Sequence, residues 1–566
     1  MRIDKIVAFL MILTGFCSFG YELVLHYEAV LIVGSSTLTM GLIISMFIFG
    51  YLSSFFFGRL VDRLKSTKSM VVLFCLLEVG IALLLVTIVP LTRMVPDLSE
   101  YLGYIVGLHL LDKSYLQLIM ISILALIIPL LMGGEIPTAM KIISNLRNSG
   151  GEEIGRISGL VFAMDSLGAG AGGLTTAIFL IPMFGQSLSA LILSGICLVT
   201  ASILLVSYNL AMKPPLVKVS DMFDSKISKK KKAVARKKWF KKAKGAVIEY
   251  KVVLILIIIG IVVLASVAVN VNRIEYSTIQ MNYEDPVVYY KYSRYQQIVV
   301  VENPDLGYML YLNGQLQIAE EDEYQYHEPL VHVPLIVHPN PTNILIIGGG
   351  DGGALEEVLK HDTVQTAVMV ELDQEVVKVS KKYFGSVSKG AFDDPRTEVV
   401  YDDGRKYIEE YTGQPFDVVI CDLPHPETET VASLYTVEFY RLVKDVLAED
   451  GIMVTQSTSP YQFSKVSMSI LKTVEEVYSI SDIYATFVFS FGTWSFCIGS
   501  RRYAFEDIGQ DTISQRLANR TVTDLMLYSN ETHFAFFEMM ENAEMEKAYD
   551  SAEVSTIDKP LIQERL

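Results

Sequence analysis

Ile344-Leu345-Ile346-Ile347-Gly348-Gly349-Gly350-Asp351-Gly352-Gly353-Ala354-Leu355-Glu356-Glu357-Val358 decides the fold of the C-terminal half of this chain. A short apolar run, a glycine-rich loop and a helix-forming stretch predict a strand, a turn and a helix in immediate succession. Glycine at 348, 349, 350, 352 and 353 lets the backbone approach a ligand closely, as in nucleotide-binding turns. Roughly 20 residues further on stands Glu371-Leu372-Asp373, where such folds place an acid against ribose hydroxyls. Asp351 inside the loop would repel a pyrophosphate, which argues against NAD and FAD and for a nucleoside carrying positive charge, such as a sulfonium.

Outward from this loop, further strand-length runs alternate with helical patterns at Ala367–Glu371, Val399–Tyr401, Val418–Cys421 and Ile452–Gln456. That alternation predicts an α/β Rossmann-type domain over 341–505, with a parallel sheet covered by helices. Asp403-Gly404 follows Val399–Tyr401, and Asp422 follows Val418–Cys421. They fall at the C-terminal strand ends, where open α/β sheets bind ligands. Before the sheet, 274–340 reads as a small β-hairpin region with an Asn313-Gly314 turn. After it, 506–566 reads as an acidic tail, partly amphipathic, and His361 and His533 read as surface or cap residues.

The N-terminal half is different in kind. Of the 566 residues 51% are hydrophobic, too many for a purely soluble chain, and they concentrate in apolar stretches near 6–24, 40–58, 69–91, 116–136, 157–183, 187–208 and 252–270. Each is about as long as the ~20 residues a helix needs to cross a bilayer. The expected layout is an α-helical multi-span membrane domain with six spans over 1–210, a basic linker over 211–251 and a seventh apolar span over 252–273. Glu22, Glu78, Glu135 and Asp165 lie within or beside spans, where a carboxylate is costly and therefore a candidate for function. Small residues crowd Gly168 to Gly173 and predict close helix packing. Gly58-Arg59-Leu60-Val61-Asp62-Arg63 resembles, over six residues, a short basic loop of major facilitator transporters.

Lys and Arg mark the loops after the second, fourth and sixth spans, the last of them with Lys229 to Lys232, Arg236 to Lys238, Lys241, Lys242 and Lys244. These loops are expected on the cytoplasmic side, with the dense basic run beside anionic lipid. If 252–270 crosses, the C-terminal domain then lies outside the cell. The formal charge of −16 excludes a nucleic-acid binder with a net basic surface. Cys17, Cys75, Cys197, Cys421 and Cys497 lack the spacing of a zinc site or disulfide framework and read as packing residues.

Tyr295-Gln296, Leu312-Asn313-Gly314, Asp322-Glu323-Tyr324-Gln325-Tyr326-His327-Glu328, His332-Val333-Pro334-Leu335, Gly348 to Gly353, Glu371-Leu372-Asp373, Asp394-Pro395-Arg396, Asp403-Gly404, Asp422 and Gly492-Thr493-Trp494-Ser495-Phe496 together resemble the ordered motifs of spermidine synthases. Many spaced motifs agree over roughly 200 residues, and the apolar half resembles membrane-attached multi-span members of that family. The resemblance implies an S-adenosylmethionine-dependent methyltransferase-like fold. It also implies an aminopropyl group moved from decarboxylated S-adenosylmethionine to putrescine or a related amine, giving spermidine and methylthioadenosine. By position it assigns Asp422 as base and Tyr326 as the residue orienting the amine. Asp351 and His327 would hold the aminopropyl or amine groups, Gln296 and Glu371 the nucleoside, and Asp403 with Gly404 the adenine. The donor is a co-substrate, and no cofactor or metal is implied. A homo-dimer or tetramer is, and an intracellular donor would put the domain in the cytoplasm.

The sequence departs from the family in three places. His425 before Pro426 stands in the substrate site where a second acid is usual, which removes a fixed charge for the far end of a diamine. Glu427-Thr428-Glu429-Thr430 replaces a common Gly-Pro, and Phe489-Ser490 a common Tyr-Pro. Two other readings compete: a methyltransferase on the same fold, and a membrane sensor or transporter whose C-terminal domain binds a polyamine or nucleoside without turnover.

Overall fold

The computed structural model describes residues 3–33, 36–106, 113–147, 153–211, 229–505 and 507–563. Two compact units divide between Glu284 and Asp285.

In the first unit, six helices among the described residues are long and apolar enough to cross a membrane: Ile3–Val33, Leu38–Arg63, Thr67–Arg93, Tyr115–Arg147, Ile154–Ala211 and Lys251–Gln280. The seven apolar stretches become six helices because Ile154–Ala211 runs 58 residues through two of them. At 1.5 Å per residue that is about 87 Å, nearly three times a hydrocarbon core. Gly185, at φ 72° and ψ 177°, breaks it between 157–183 and 187–208. Apolar side chains such as Phe49, Phe56, Leu174 and Ile258 face outward, while Glu22, Glu78 and Glu135 are buried. That inverted arrangement is compatible with a membrane protein.

Small residues do bring two helices together. A Cβ on Gly15 would lie 2.0 Å from the Asp165 carbonyl oxygen, one on Gly168 2.0 Å from that of Ile12, and one on Gly172 2.2 Å from that of Phe16. Gly58 to Arg63 is not a loop: it lies in the helix Ser53–Arg63, and Asp62 pairs with Lys141 at 2.8 Å. The basic run is helical too, continuous with the apolar segment in Lys229–Gln280. Residues 212–228 of the expected linker, and the side chains of 229–250, lie outside the described residues.

The second unit opens with an antiparallel sheet of β1 (Val287–Tyr292), β2 (Gln297–Asn303), β3 (Gly307–Leu312) and β4 (Gln315–Ala319), in that order. Asn313 and Gly314, both at positive φ, make the tight turn between β3 and β4. The main sheet holds β5 (Asn343–Gly348), β6 (Thr366–Val370), β7 (Thr397–Val400), β8 (Phe416–Asp422), β9 (Leu447–Gln456), β10 (Ile480–Val488) and β11 (Gly492–Ser500). Its order is β10-β11-β9-β8-β5-β6-β7. Pairing is parallel from β9 through β8, β5 and β6 to β7, and β11 runs antiparallel to both neighbours. The chain reverses direction of travel across the sheet between β5 and β8, which creates the crevice that the acids line.

Two expectations fail here. The segment after 505 is not a detached tail: Phe505, Ile513, Tyr528, Phe536 and Phe537 enter the core beneath the helix Tyr324–Val337. Glu328 on that helix accepts the backbone N–H groups of Met526, Leu527 and Tyr528 at 2.7, 2.8 and 2.6 Å. His361 and His533 are buried rather than superficial. His361 Nε2 meets His332 Nδ1 at 2.9 Å, with Glu357 on the far nitrogen of His332, and His533 sits between the Tyr528 hydroxyl and the Phe505 carbonyl. The five cysteines are free and buried, as packing residues should be.

Candidate active site

The glycine loop is built by steric demand. Gly348, Gly349 and Gly352 have positive φ, which L side chains rarely adopt. A Cβ on Gly348 would stand 2.0 Å from the Asp422 carbonyl oxygen, and one on Gly353 2.3 Å from the His327 ring. One on Gly350 would come 2.7 Å from Glu371 Oε2. The loop is therefore the floor against which three expected site residues are pressed.

Asp422 ends β8. Its Oδ1 accepts the Tyr326 hydroxyl at 2.7 Å, while its Oδ2 is buried with no partner. Burial, with Asp351 adding its charge, pushes the carboxyl up to about 6, against the opposing pull of His327 and Tyr326. Tyr326 is held edge-on to Phe491 and Trp494 and tilted against Phe496.

His327 Nδ1 meets Glu323 at 2.6 Å, and its Nε2 lies 3.3 Å from Asp351. Burial works against charge on the ring, yet the two carboxylates outweigh it and hold its pKa well above the ordinary value. Burial likewise works against charge on Asp351, but His327 and the Gly353 N–H at 2.8 Å bring it below the usual carboxylate range. Ligating atoms of His327, Asp351 and Asp422 lie within 4.8 Å of one another, a spacing that could hold a metal. A protonated His327, donating at both nitrogens, has no lone pair to offer one. The same cluster is a small pocket of net negative charge, suited to an organic cation.

Glu371, at the end of β6, accepts the Asp373 N–H at 2.8 Å, and burial pushes it up to about 7. Gln296 donates to Asp373 at 3.3 Å, beside Ser293 at 2.5 Å. Asp403 caps the helix Gly404–Glu410 through the Lys406 N–H at 3.0 Å and is exposed, while a Cβ on Gly404 would meet Ile347 at 2.5 Å. The structure thus gathers Asp422, Tyr326, His327, Asp351 and Glu371 around the glycine loop. It sets Asp403 and Gly404 at the end of the neighbouring strand β7.

His425 packs edge-on against Trp494, with ring centroids 5.0 Å apart, and its Nδ1 lies 3.3 Å from Gln563 Nε2. The Gln563 backbone donates to Pro426 at 2.8 Å, and Gln315 reaches Glu427 at 3.1 Å. Phe489 and Ser490 close the rim through Gln325 and Asp322, whose carboxylate takes the Ser490 N–H at 2.7 Å. Glu323 and Asp373 were visible within quoted motifs without a role of their own. Gln563 carried no signal in the sequence, because its partner is 138 residues away.

A parallel sheet with a glycine turn and acids at its carboxyl edge defines a nucleoside-binding α/β transferase fold. Residues 323–506 match the spermine/spermidine synthase domain and residues 275–320 the spermidine synthase tetramerisation domain. A polyamine aminopropyltransferase of Pyrobaculum aerophilum is 42% identical over 253 residues, 44% of this chain and 87% of that protein. Polyamine aminopropyltransferase 1 of Streptomyces coelicolor is 32% identical over 504 residues, 87% of this chain and 83% of that protein, so its match reaches into the first unit. A crystal structure of spermidine synthase in complex with the transition state analogue AdoDATO is 35% identical, covers 47% of this chain and 88% of that one, and gives a TM-score of 0.44. The chain belongs to the spermidine synthase (polyamine aminopropyltransferase) family. It is an enzyme of aminopropyl transfer, and the reading as a non-catalytic sensor is not favoured.

Proposed function

We propose that Asp422 is the base that frees the attacking amine, in a transfer from decarboxylated S-adenosylmethionine to putrescine or a related amine. The observation carrying this is the divided carboxylate: Oδ1 is fixed by Tyr326 while Oδ2 is buried, unpartnered and beside the glycine loop. An ammonium approaching Oδ2 surrenders a proton to it. The freed nitrogen lone pair attacks the carbon next to sulfur, the C–N bond forms and the C–S bond breaks. Its electron pair stays on sulfur, neutralising the sulfonium in methylthioadenosine.

Asp351 supplies negative charge for the aminopropyl nitrogen or the sulfonium. His327 acts in this reading by bracing Asp351 and Glu323 rather than by touching substrate, since both its nitrogens are engaged. Glu371 takes the ribose hydroxyls, Gln296 supports the same edge through Asp373, and Asp403 with Gly404 borders the adenine. At the acceptor's far end His425, backed by Trp494 and Gln563, offers no fixed anion. The full chain should form spermidine from putrescine and the donor. Loss of methylthioadenosine release in Asp422→Asn, with donor binding kept, tests the assignment. Turnover unchanged in that variant would refute it.

The six apolar helices support a multi-pass protein of the cell membrane, and the match to a tetramerisation domain supports assembly into a homo-oligomer. Loop charge favours the second unit outside the cell if Lys251–Gln280 crosses, and donor supply favours the inside. A cysteine at exposed Asp305, treated with a membrane-impermeant thiol reagent in whole cells, separates these: labelling means outside.

A further inference from the structure

The first unit buries acids that aminopropyl transfer does not use. Glu22 on Ile3–Val33 is 5% exposed, Glu78 on Thr67–Arg93 1%, and Glu135 at the start of Glu135–Arg147 4%. Elsewhere in the same unit buried charges are matched: Arg93 binds both oxygens of Glu28 at 3.0 and 2.6 Å, and Arg147 binds Asp4 at 2.8 Å. These three acids are not. Both carboxyl oxygens of Glu78, Oε1 of Glu22 and Oε1 of Glu135 are buried without a hydrogen-bond partner.

An unsatisfied acid in an apolar interior is costly, and here three separate helices each contribute one. They form one electrostatic group: the charges of Glu78 and Asp165 act on Glu135, and those of Asp165, Glu135 and Glu22 act together on Tyr51. Cys17, Cys75 and Cys197, all buried, stand around Glu78 as an apolar wall. The acids are too dispersed for the ligand shell of a metal ion. Among the described residues, the one set of three such donors converging within 4.8 Å is in the second unit. Carboxylates set apart along an apolar wall match a different cation, one whose charges are themselves set apart by methylene groups.

We propose that the first unit holds a second amine site, in which Glu22, Glu78 and Glu135 bind the separated ammonium groups of an aliphatic di- or polyamine and the apolar wall receives its methylenes. This site rests on the first unit alone and does not need the catalytic assignment.

The test is equilibrium binding of radiolabelled putrescine and spermidine to the full chain in lipid nanodiscs. Wild type should show two classes of amine site, and Glu78→Gln/Glu135→Gln only one. Aminopropyl transfer should stay within about twofold of wild type in that variant, because it leaves every residue of the second unit's site unchanged. Retained transfer shows that the chain has folded. Should the double variant not fold, Glu78→Gln alone should weaken the second class by about tenfold or more, with transfer kept. Undiminished binding in a folded variant overturns the proposal, and so does a second site that takes sodium and ignores spermidine. Failure of transfer in wild type would bear on the catalytic assignment and leave this binding result standing.

Discussion

The acids around the glycine loop of the second unit and the unpaired acids of the first are treated in opposite ways. In the second unit each has a defined environment: Asp351 takes His327 and the Gly353 N–H, Glu371 takes the Asp373 N–H, and Asp422 takes Tyr326 with one oxygen and keeps the other open. In the first unit Glu78 keeps both oxygens open. A single bare oxygen on an otherwise fixed carboxylate is directional, which suits proton transfer at one atom. A carboxyl bare at both oxygens, as Glu78 is, offers no single aimed atom, which suits binding.

The comparison breaks first at Asp422. Asp422→Asn should lower kcat by about 10²–10⁴-fold, the range for losing a general base, whereas Glu78→Gln should leave kcat near wild type. Equal effects at the two positions would erase the distinction. Next comes Glu328, the acid whose satisfaction is most complete. Glu328→Ala strands three backbone N–H groups and should cost about 3 kcal/mol or more, read as a lower melting midpoint of the full chain in detergent. An unchanged midpoint would mean that water replaces the carboxylate.

The pH profile sharpens the comparison further. Asp422 is raised to about 6, so it is protonated below that pH and cannot accept a proton. The value of kcat/KM should fall about tenfold per unit below pH 6 and level off above it. Amine binding at the first-unit acids should not follow the same curve. The smallest effect belongs to a charge pair on the surface. Lys141→Ala breaks its contact with Asp62, and both residues are exposed, so stability should shift by less than about 1 kcal/mol.

Legibility in the sequence followed distance along the chain. The strand, glycine loop and helix of 344–358 were readable because the apolar run, the glycines and the helix formers lie side by side in the chain, and the acids at strand ends followed from the same alternation. The two-residue turn at Asn313-Gly314 was readable for the same reason. What escaped was built from remote partners. Glu328 meets residues about 200 positions away, and the pairing of His332 with His361 crosses 29. Gly58 to Arg63 misled because glycine and charge suggest a loop in isolation, while the apolar residues before it carry the helix onward. The place of His327 was half-legible: its motif put it in the site, but only the structure reveals that both its nitrogens face carboxylates, the observation behind its proposed bracing role.

The clamp on Glu328 also sets a schedule for synthesis. Its three partners follow it by 198, 199 and 200 residues. At ~5–20 residues per second, a ribosome reaches them roughly 10–40 s after making Glu328. Throughout that interval the helix bearing Tyr326 and His327 lacks the anchor that fixes it, and the apolar helices of the first unit have already emerged. The core of the second unit therefore cannot close over that helix until residues 526–528 have been made.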